Sequence, residues 1–146
     1  MTGAEQELAL KLFVVLSKAH GAIMDRAIKD MKSYGVSSTE FMILELLYHK
    51  GALPLQQIGD KVLITSGSIT YNIDKLEKKG LLRRVPCADD RRVTFAEMTD
   101  EGRAWMDDIF PRHALAITES MQGLSEAEQQ QTVTLLKQLG LHASES

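Results

Sequence analysis

The chain has 146 residues, 44% hydrophobic and 25% charged, a balance that excludes a disordered or fibrous chain and suits one globular domain. Its formal net charge of −3 opposes binding to a polyanion unless the positive charge is concentrated somewhere. One cysteine excludes an internal disulfide, the histidines His20, His49, His113 and His142 lack metal-ligand spacing, and no run of 18 apolar residues or basic leader is present, so no metal, no cofactor, no membrane and a cytoplasmic location are expected.

Low aromatic content (5%) and three prolines, with Leu, Ala, Lys, Glu and Met at helical spacing, predict a mainly helical protein. Residues 4–32 form a first helix whose apolar stripe, Leu8, Leu12, Val15, Leu16, Ala19, Ile23, Ala27 and Ile28, must bury against the core or a second copy of the chain. Gly35 stops it. Ser37-Ser38-Thr39-Glu40 is a capping box that opens a core helix carrying Phe41, Ile43, Leu44, Leu46 and Leu47.

Gly51-Ala52-Leu53-Pro54 breaks the pattern, and a short helix follows with Leu55, Ile58 and Val62 on one face. The next helix takes Thr65 or Ser66 as N-cap and runs to Lys79, where Gly80 ends it. Two short helices joined by a tight turn make a helix-turn-helix. On a wheel the second places Ile69, Ile73 and Leu76 inward, with Gly67, Tyr71, Asp74 and Lys78 opposite, flanked by Ser68, Thr70 and Lys75. That outer face is small, hydroxylic and basic, able to approach base edges and phosphates. Asp74 is its awkward member: it accepts from a cytosine amino group, pairs with Lys78, or sits off the groove.

The stretches LLRRV and RVTFAEM read as strands around PCADDR, a hairpin of the wing type. Asp89 and Asp90 suit its turn, and Arg91 at the tip has the reach to enter a minor groove or to pair with Asp89. Thr99 caps a further helix that Pro111 must kink or end. Ser125-Glu126-Ala127-Glu128 is a second capping box, opening a last helix with Val133, Leu136 and Leu139 on its apolar face, and residues 143–146 are expected to fray. Resolved along the chain, residues 61–92 carry eight basic side chains against four acidic ones, a local excess of +4, and the remainder carries −7. The positive charge is local.

The element order, with SGSITYNIDKLEKKGLLRR followed by DDRRVTFAEMTDEG, resembles the MarR family of winged helix-turn-helix regulators over nearly the whole chain. The matching motifs are a helix ending in L-E-x-x-G, a D-x-R wing and an L-T-x-x-G opening of the next helix, where Met98 replaces the usual Leu. The run from Met24 to Leu82 is further similar to the quinone- and hydroquinone-responsive branch of that family. The resemblance implies a mainly α fold with a small β wing, a winged helix-turn-helix lobe at about 37–98, and a helical dimerisation region at about 4–32 and 99–141 of a single domain, 1–146. It also implies a homodimer on a pseudo-palindromic operator in double-stranded DNA, acting as a repressor released by a phenolic or quinone ligand or by thiol oxidation. Carried onto this sequence, Ser66, Ser68 and Thr70 match the DNA-contacting start of the recognition helix, and Asp89 and Arg91 match the wing, with Arg92 beside it. The first helix lacks the cysteine of the peroxide-sensing branch.

The candidate DNA-binding residues are therefore Ser66, Gly67, Ser68, Thr70, Tyr71, Lys75, Lys78, Asp89, Arg91 and Arg92. An aromatic effector has candidate contacts in His20, Met24, Tyr34, Phe41 and His49, although Met24 and Phe41 read equally as core and both histidines as surface. Cys87, near Arg83, Arg84 and Arg91, is a candidate redox sensor or an incidental thiol. A protein-docking winged helix and a small hydrolase using Cys87 or Ser68 are the rival readings. The second lacks a G-x-S-x-G elbow and an H-E-x-x-H motif, so no enzyme is expected.

Overall fold

The computed structural model describes residues 1–62 and 66–145, apart from the side chain of Ser66. In chain order it contains α1 (Gly3–Lys32), α2 (Ser38–Lys50), β1 (Leu53–Pro54), α3 (Leu55–Val62), α4 (Ser66–Lys78), β2 (Leu82–Pro86), β3 (Thr94–Met98), α5 (Asp100–Ser120) and α6 (Glu126–Ser144). Helix starts follow local capping chemistry. Ser37 accepts the Glu40 N–H while Glu40 accepts the Ser37 N–H, and Ser125 and Glu128 repeat the exchange. Thr99 accepts the Gly102 N–H. A third capping box, Thr2 with Glu5, starts α1 and escaped the sequence reading. The proposed N-cap Thr65 lies outside the described residues.

Around α2 the chain builds its main core. Ile43, Leu44 and Leu47 are completely buried with Ile58 of α3, Ile73 and Leu76 of α4, Ala96 of β3 and Met106 of α5. Each of the isoleucine, leucine and methionine side chains is worth about 1.5–3 kcal/mol when withdrawn from water. A smaller cluster, Ala27, Met31, Val36, Phe41 and Ile109, packs the end of α1 against α2 and α5.

Two expectations are corrected and a third is narrowed. The breaker at Leu53–Pro54 is a two-residue edge strand, paired antiparallel to β3 with Leu53 opposite Ala96 and Pro54 opposite Phe95, so the sheet order is β1-β3-β2; proline is tolerated because the strand lies at an edge. Of the two outcomes expected at Pro111, a kink or an end, the helix does not end: α5 continues to Ser120, because Ile109 and His113 on either side are buried and hold it across the missing donor. The last helix also reaches Ser144 instead of fraying at 143, and Ser144 Oγ donates to the Leu141 carbonyl.

The long stripe of α1 divides in two. Its C-terminal third enters the core through Ala27 and Met31, while Leu8, Leu12, Phe13 and Val15 are between 50% and 69% exposed. No residue of α6 is buried, and Val133, Leu135, Leu136 and Leu141 stand in solvent. The two helices run close enough for Leu12, Leu135, Leu136 and Leu139 to line one apolar groove of about 540 Å³. A continuous apolar surface of this kind marks an interaction face. Among the described residues, no helix is long and apolar enough to cross a membrane.

Candidate nucleic-acid interface

The inner face of α4 is as the spacing predicts, with Ile69 4% exposed and Ile73 and Leu76 at 0%. Asn72 is also buried, which the wheel left unassigned; its side-chain amide donates to the Ser68 carbonyl one turn back, 2.8 Å away. Among the described residues its partner is Ser68, four positions earlier, so an i, i+4 Ser–Asn pair was the available signal. The helix meets the turn after it through Gly80 (φ +77), whose carbonyl accepts the Thr99 hydroxyl at 2.6 Å. Close packing recurs at Gly102, where a Cβ would lie 2.1 Å from the Leu81 carbonyl oxygen.

On the outer face Gly67, Thr70, Tyr71, Asp74, Lys75 and Lys78 are exposed and Ser68 is half-buried. The Lys75 ammonium lies 4.9 Å above the Tyr71 ring. Its hydrogen bond with Tyr71 raises its pKa above the ordinary lysine value, so it stays charged. Asp74 pairs with neither Lys78 nor solvent alone: Arg84 of β2 reaches it at 2.8 Å and also grips Glu77. That arginine locks the wing onto α4 from two adjacent turns.

The wing is an antiparallel hairpin with Leu82 opposite Met98 and Pro86 opposite Thr94. Its loop closes through the Cys87 N–H to the Val93 carbonyl and the Val93 N–H to the Asp90 carbonyl. Asp90 also accepts the Arg92 N–H at 3.0 Å and pairs with the Arg92 guanidinium, which holds the Asp90 carboxyl below its ordinary pKa. The carboxylate partner in the turn is thus Asp90 with Arg92, not Asp89 with Arg91. Asp89, Arg91 and Arg92 are exposed, and among the described residues Arg91 makes no ion pair. Cys87 is half-buried at the base of this loop.

Half of the eight basic residues are committed internally: Lys79 to Glu40, Arg83 to Glu97, Arg84 to Asp74 and Glu77, and Arg92 to Asp90. Lys61, Lys75, Lys78 and Arg91 have no carboxylate partner among the described residues. They are the cations most available to an external anion.

The five effector candidates do not converge. Tyr34 and Phe41 belong to a buried cluster in which Asp30 accepts the Tyr34 hydroxyl at 2.9 Å and lies 2.8 Å from His113 Nδ1, with the His113 ring 4.6 Å from that of Phe41. Burial, then the bond to Asp30, pushes the Tyr34 hydroxyl up to about 12. His20 lies on the α1–α6 side, beside Ile23, Met121 and Leu136. Met24 is half-buried on α1. His49 borders a groove of about 440 Å³ between α2 and α3, lined by Met42, Glu45, Leu46, Lys61 and Val62. The ring of Phe110, which sequence reasoning did not single out, stands edge-on to His49 at 4.9 Å.

Two packed short helices, the second presenting a polar face beside a two-stranded hairpin, define a winged helix-turn-helix, a DNA-binding class. The MarR family model matches residues 36–94. The chain is 52% identical over 139 residues to the HTH-type transcriptional regulator MhqR of Bacillus subtilis strain 168, covering 95% of this chain and 96% of that protein. Among solved structures, Sco3205 of Streptomyces coelicolor, a MarR family regulator in complex with DNA, shares the fold with a TM-score of 0.79 at 22% identity over 98% of this chain and 89% of its own. NadR in complex with 4-hydroxyphenylacetate superposes with a TM-score of 0.71 at 25% identity over 89% of each chain. The protein belongs to the MarR family of DNA-binding transcriptional regulators, which are not enzymes.

Proposed function

We propose that the protein is a homodimeric repressor that holds a pseudo-palindromic operator and releases it on binding a small phenolic or quinone-type effector. The observation that carries this reading is the polar face of α4 lying beside a wing whose Arg91 is exposed and unpaired among the described residues. In the complex α4 enters the major groove, with Ser66, Gly67, Ser68, Thr70 and Tyr71 against bases and phosphates and Lys75 and Lys78 toward the backbone. Arg91 enters the flanking minor groove, whose negative potential favours arginine, while Asp89 and Arg92 shape the wing tip beside it. The exposed faces of α1 and α6 meet those of a second copy.

Arg91→Ala is expected to weaken operator binding by ~1–3 kcal/mol and to reduce the salt slope by about 1. Fluorescence anisotropy over a salt series, using the duplex upstream of the chain's own gene, reads both. Unchanged affinity would remove Arg91 from the interface and favour a protein-docking role.

For the effector, the groove at His49 is the best-placed site. Met42, Leu46 and Val62 offer an apolar floor, and His49 and Lys61 offer donors to a phenolic or quinone oxygen. It is bounded by Lys61 and Val62, the last residues of α3, the helix that packs against α4, so a ligand favouring a shifted α3 disfavours the DNA-bound form. The NadR complex shows that a relative of this fold accommodates a hydroxylated aromatic acid. Hydroquinone is expected to release the wild-type protein and Cys87→Ser equally, whereas His49→Ala needs roughly tenfold more, the loss of one hydrogen bond of about 1–1.5 kcal/mol. Loss of release in Cys87→Ser would transfer the sensing role to the thiol.

A further inference from the structure

We infer that Glu40 and Lys79 are positioning residues for operator recognition: their ion pair ties the C-terminal end of α4 to the α1–α2 junction and sets the spacing between the two recognition helices. The inference rests on the proposed dimer on DNA and adds to it which contact fixes its geometry.

Glu40 is 2% exposed, and its carboxylate is held from two directions. Oε1 accepts the Ser37 N–H at 3.0 Å, within the box that starts α2, and Oε2 accepts the Lys79 ammonium at 2.8 Å. The same ammonium donates to the Gly35 carbonyl at 3.3 Å, and Gly35 (φ +85) makes the turn just after α1. One cation thus joins the end of α1, the start of α2 and the end of α4, across 39 residues of sequence to Glu40 and 44 to Gly35. Burial raises the Glu40 pKa, but the Lys79 and Ser37 bonds outweigh it and leave the group below the ordinary glutamate value, so the pair is ionised at neutral pH.

Its position gives this pair a role beyond stability. α1 carries the exposed face that meets the second copy, and α4 carries the face that meets DNA, so a rigid link between them converts dimer geometry into half-site spacing. Operator half-sites sit about one helical turn apart, and one base pair of added spacing rotates and translates one site away from its helix. The pair is buried on the Glu40 side, with that side chain 3% exposed, and open on the Lys79 side, 38% exposed, and a register function is the best-attested use of ion pairs that reach into a core. Lys79 therefore serves α4 from behind and does not approach a phosphate, although it stands in the basic stretch.

Removing Lys79 alone strands the buried Glu40 carboxylate, so the test uses Glu40→Gln/Lys79→Met, which deletes the tie without leaving a buried unpaired charge. Lys79→Arg is the conservative control. Each protein is checked for dimerisation by sedimentation and for folding by thermal melting, then titrated over a salt series with duplexes carrying the operator at native spacing and with one base pair inserted or deleted between half-sites. The wild type is expected to lose roughly tenfold or more in affinity on a one-base-pair change, the scale of one spoiled position in a site. The double variant is expected to remain a dimer with an unchanged salt slope, to bind the native operator several-fold more weakly, and to lose most of the spacing discrimination; Lys79→Arg restores it.

A spacing profile identical to wild type would reduce the pair to a stabilising contact and overturn the inference while leaving the DNA-binding reading intact. A salt slope lowered by about 1 would place Lys79 on a phosphate and overturn it as well. Failure of the wild type to bind any duplex would overturn the underlying reading and the inference with it.

Discussion

Leu12→Asp/Leu136→Asp is expected to yield a folded monomer whose affinity for the operator falls by about 10²–10⁴-fold. Neither residue belongs to the core: Leu12 is 50% exposed and Leu136 44%, and both line the groove between α1 and α6. Their substitution leaves the buried clusters around α2 untouched. In a dimer they are withdrawn from water, and two carboxylates placed there cannot be buried without a partner. The loss on DNA is large because two linked recognition helices bind with one entropic penalty, and separating them returns each half-site contact to a bimolecular event. Sedimentation and anisotropy measured on the same preparation check both halves. A variant that stays dimeric with unchanged affinity would show that the exposed apolar face is not the subunit interface.

The second large effect concerns stability. Phe41→Ala is expected to cost about 3–5 kcal/mol and to lower the melting midpoint by roughly 10 °C. The side chain is completely buried, with its ring 6.2 Å from Tyr34, 6.4 Å from Trp105 and 4.6 Å from His113 by centroid. It joins the end of α1, the start of α2 and the middle of α5. A cavity there also removes the apolar wall behind the Asp30–His113–Tyr34 hydrogen bonds, which connect α1, the turn after it and α5. Phe41→Leu should recover most of the loss. A midpoint shift of only a degree or two for Phe41→Ala, read by circular dichroism, would mean that α1, α2 and α5 repack without it.

Much of the DNA-facing architecture was legible because its signals are short-range. The Ser37–Glu40 and Ser125–Glu128 boxes, the stops at Gly35 and Gly80, and the inward stripe Ile69–Ile73–Leu76 each depend on residues within one or two helical turns. The hairpin was legible for the same reason, since β2 and β3 are close in sequence. What escaped required knowledge of a distant partner. Leu53–Pro54 looks like a breaker until β3, some forty residues later, supplies its hydrogen bonds. Pro111 leaves a kink and a helix end both open until the burial of Ile109 and His113 is known.

The same division runs through the charged residues. Sequence alone determined that the protein is a helical chain with a local basic excess on a winged helix-turn-helix, because helix caps, apolar periodicity and charge runs are properties of neighbouring residues. It could not determine which cations are available, because composition counts charges without their partners. Only the tertiary structure placed Arg84 on Asp74 and Glu77 and Lys79 on Glu40, leaving Lys61, Lys75, Lys78 and Arg91 without a carboxylate partner among the described residues. It likewise separated His20, Phe41 and His49 into three environments and split the single stripe of α1 into a buried end and an exposed one. The physical reason is range: backbone capping and side-chain periodicity act over a few residues, whereas ion pairing and burial are decided by whatever the fold brings within a few ångströms.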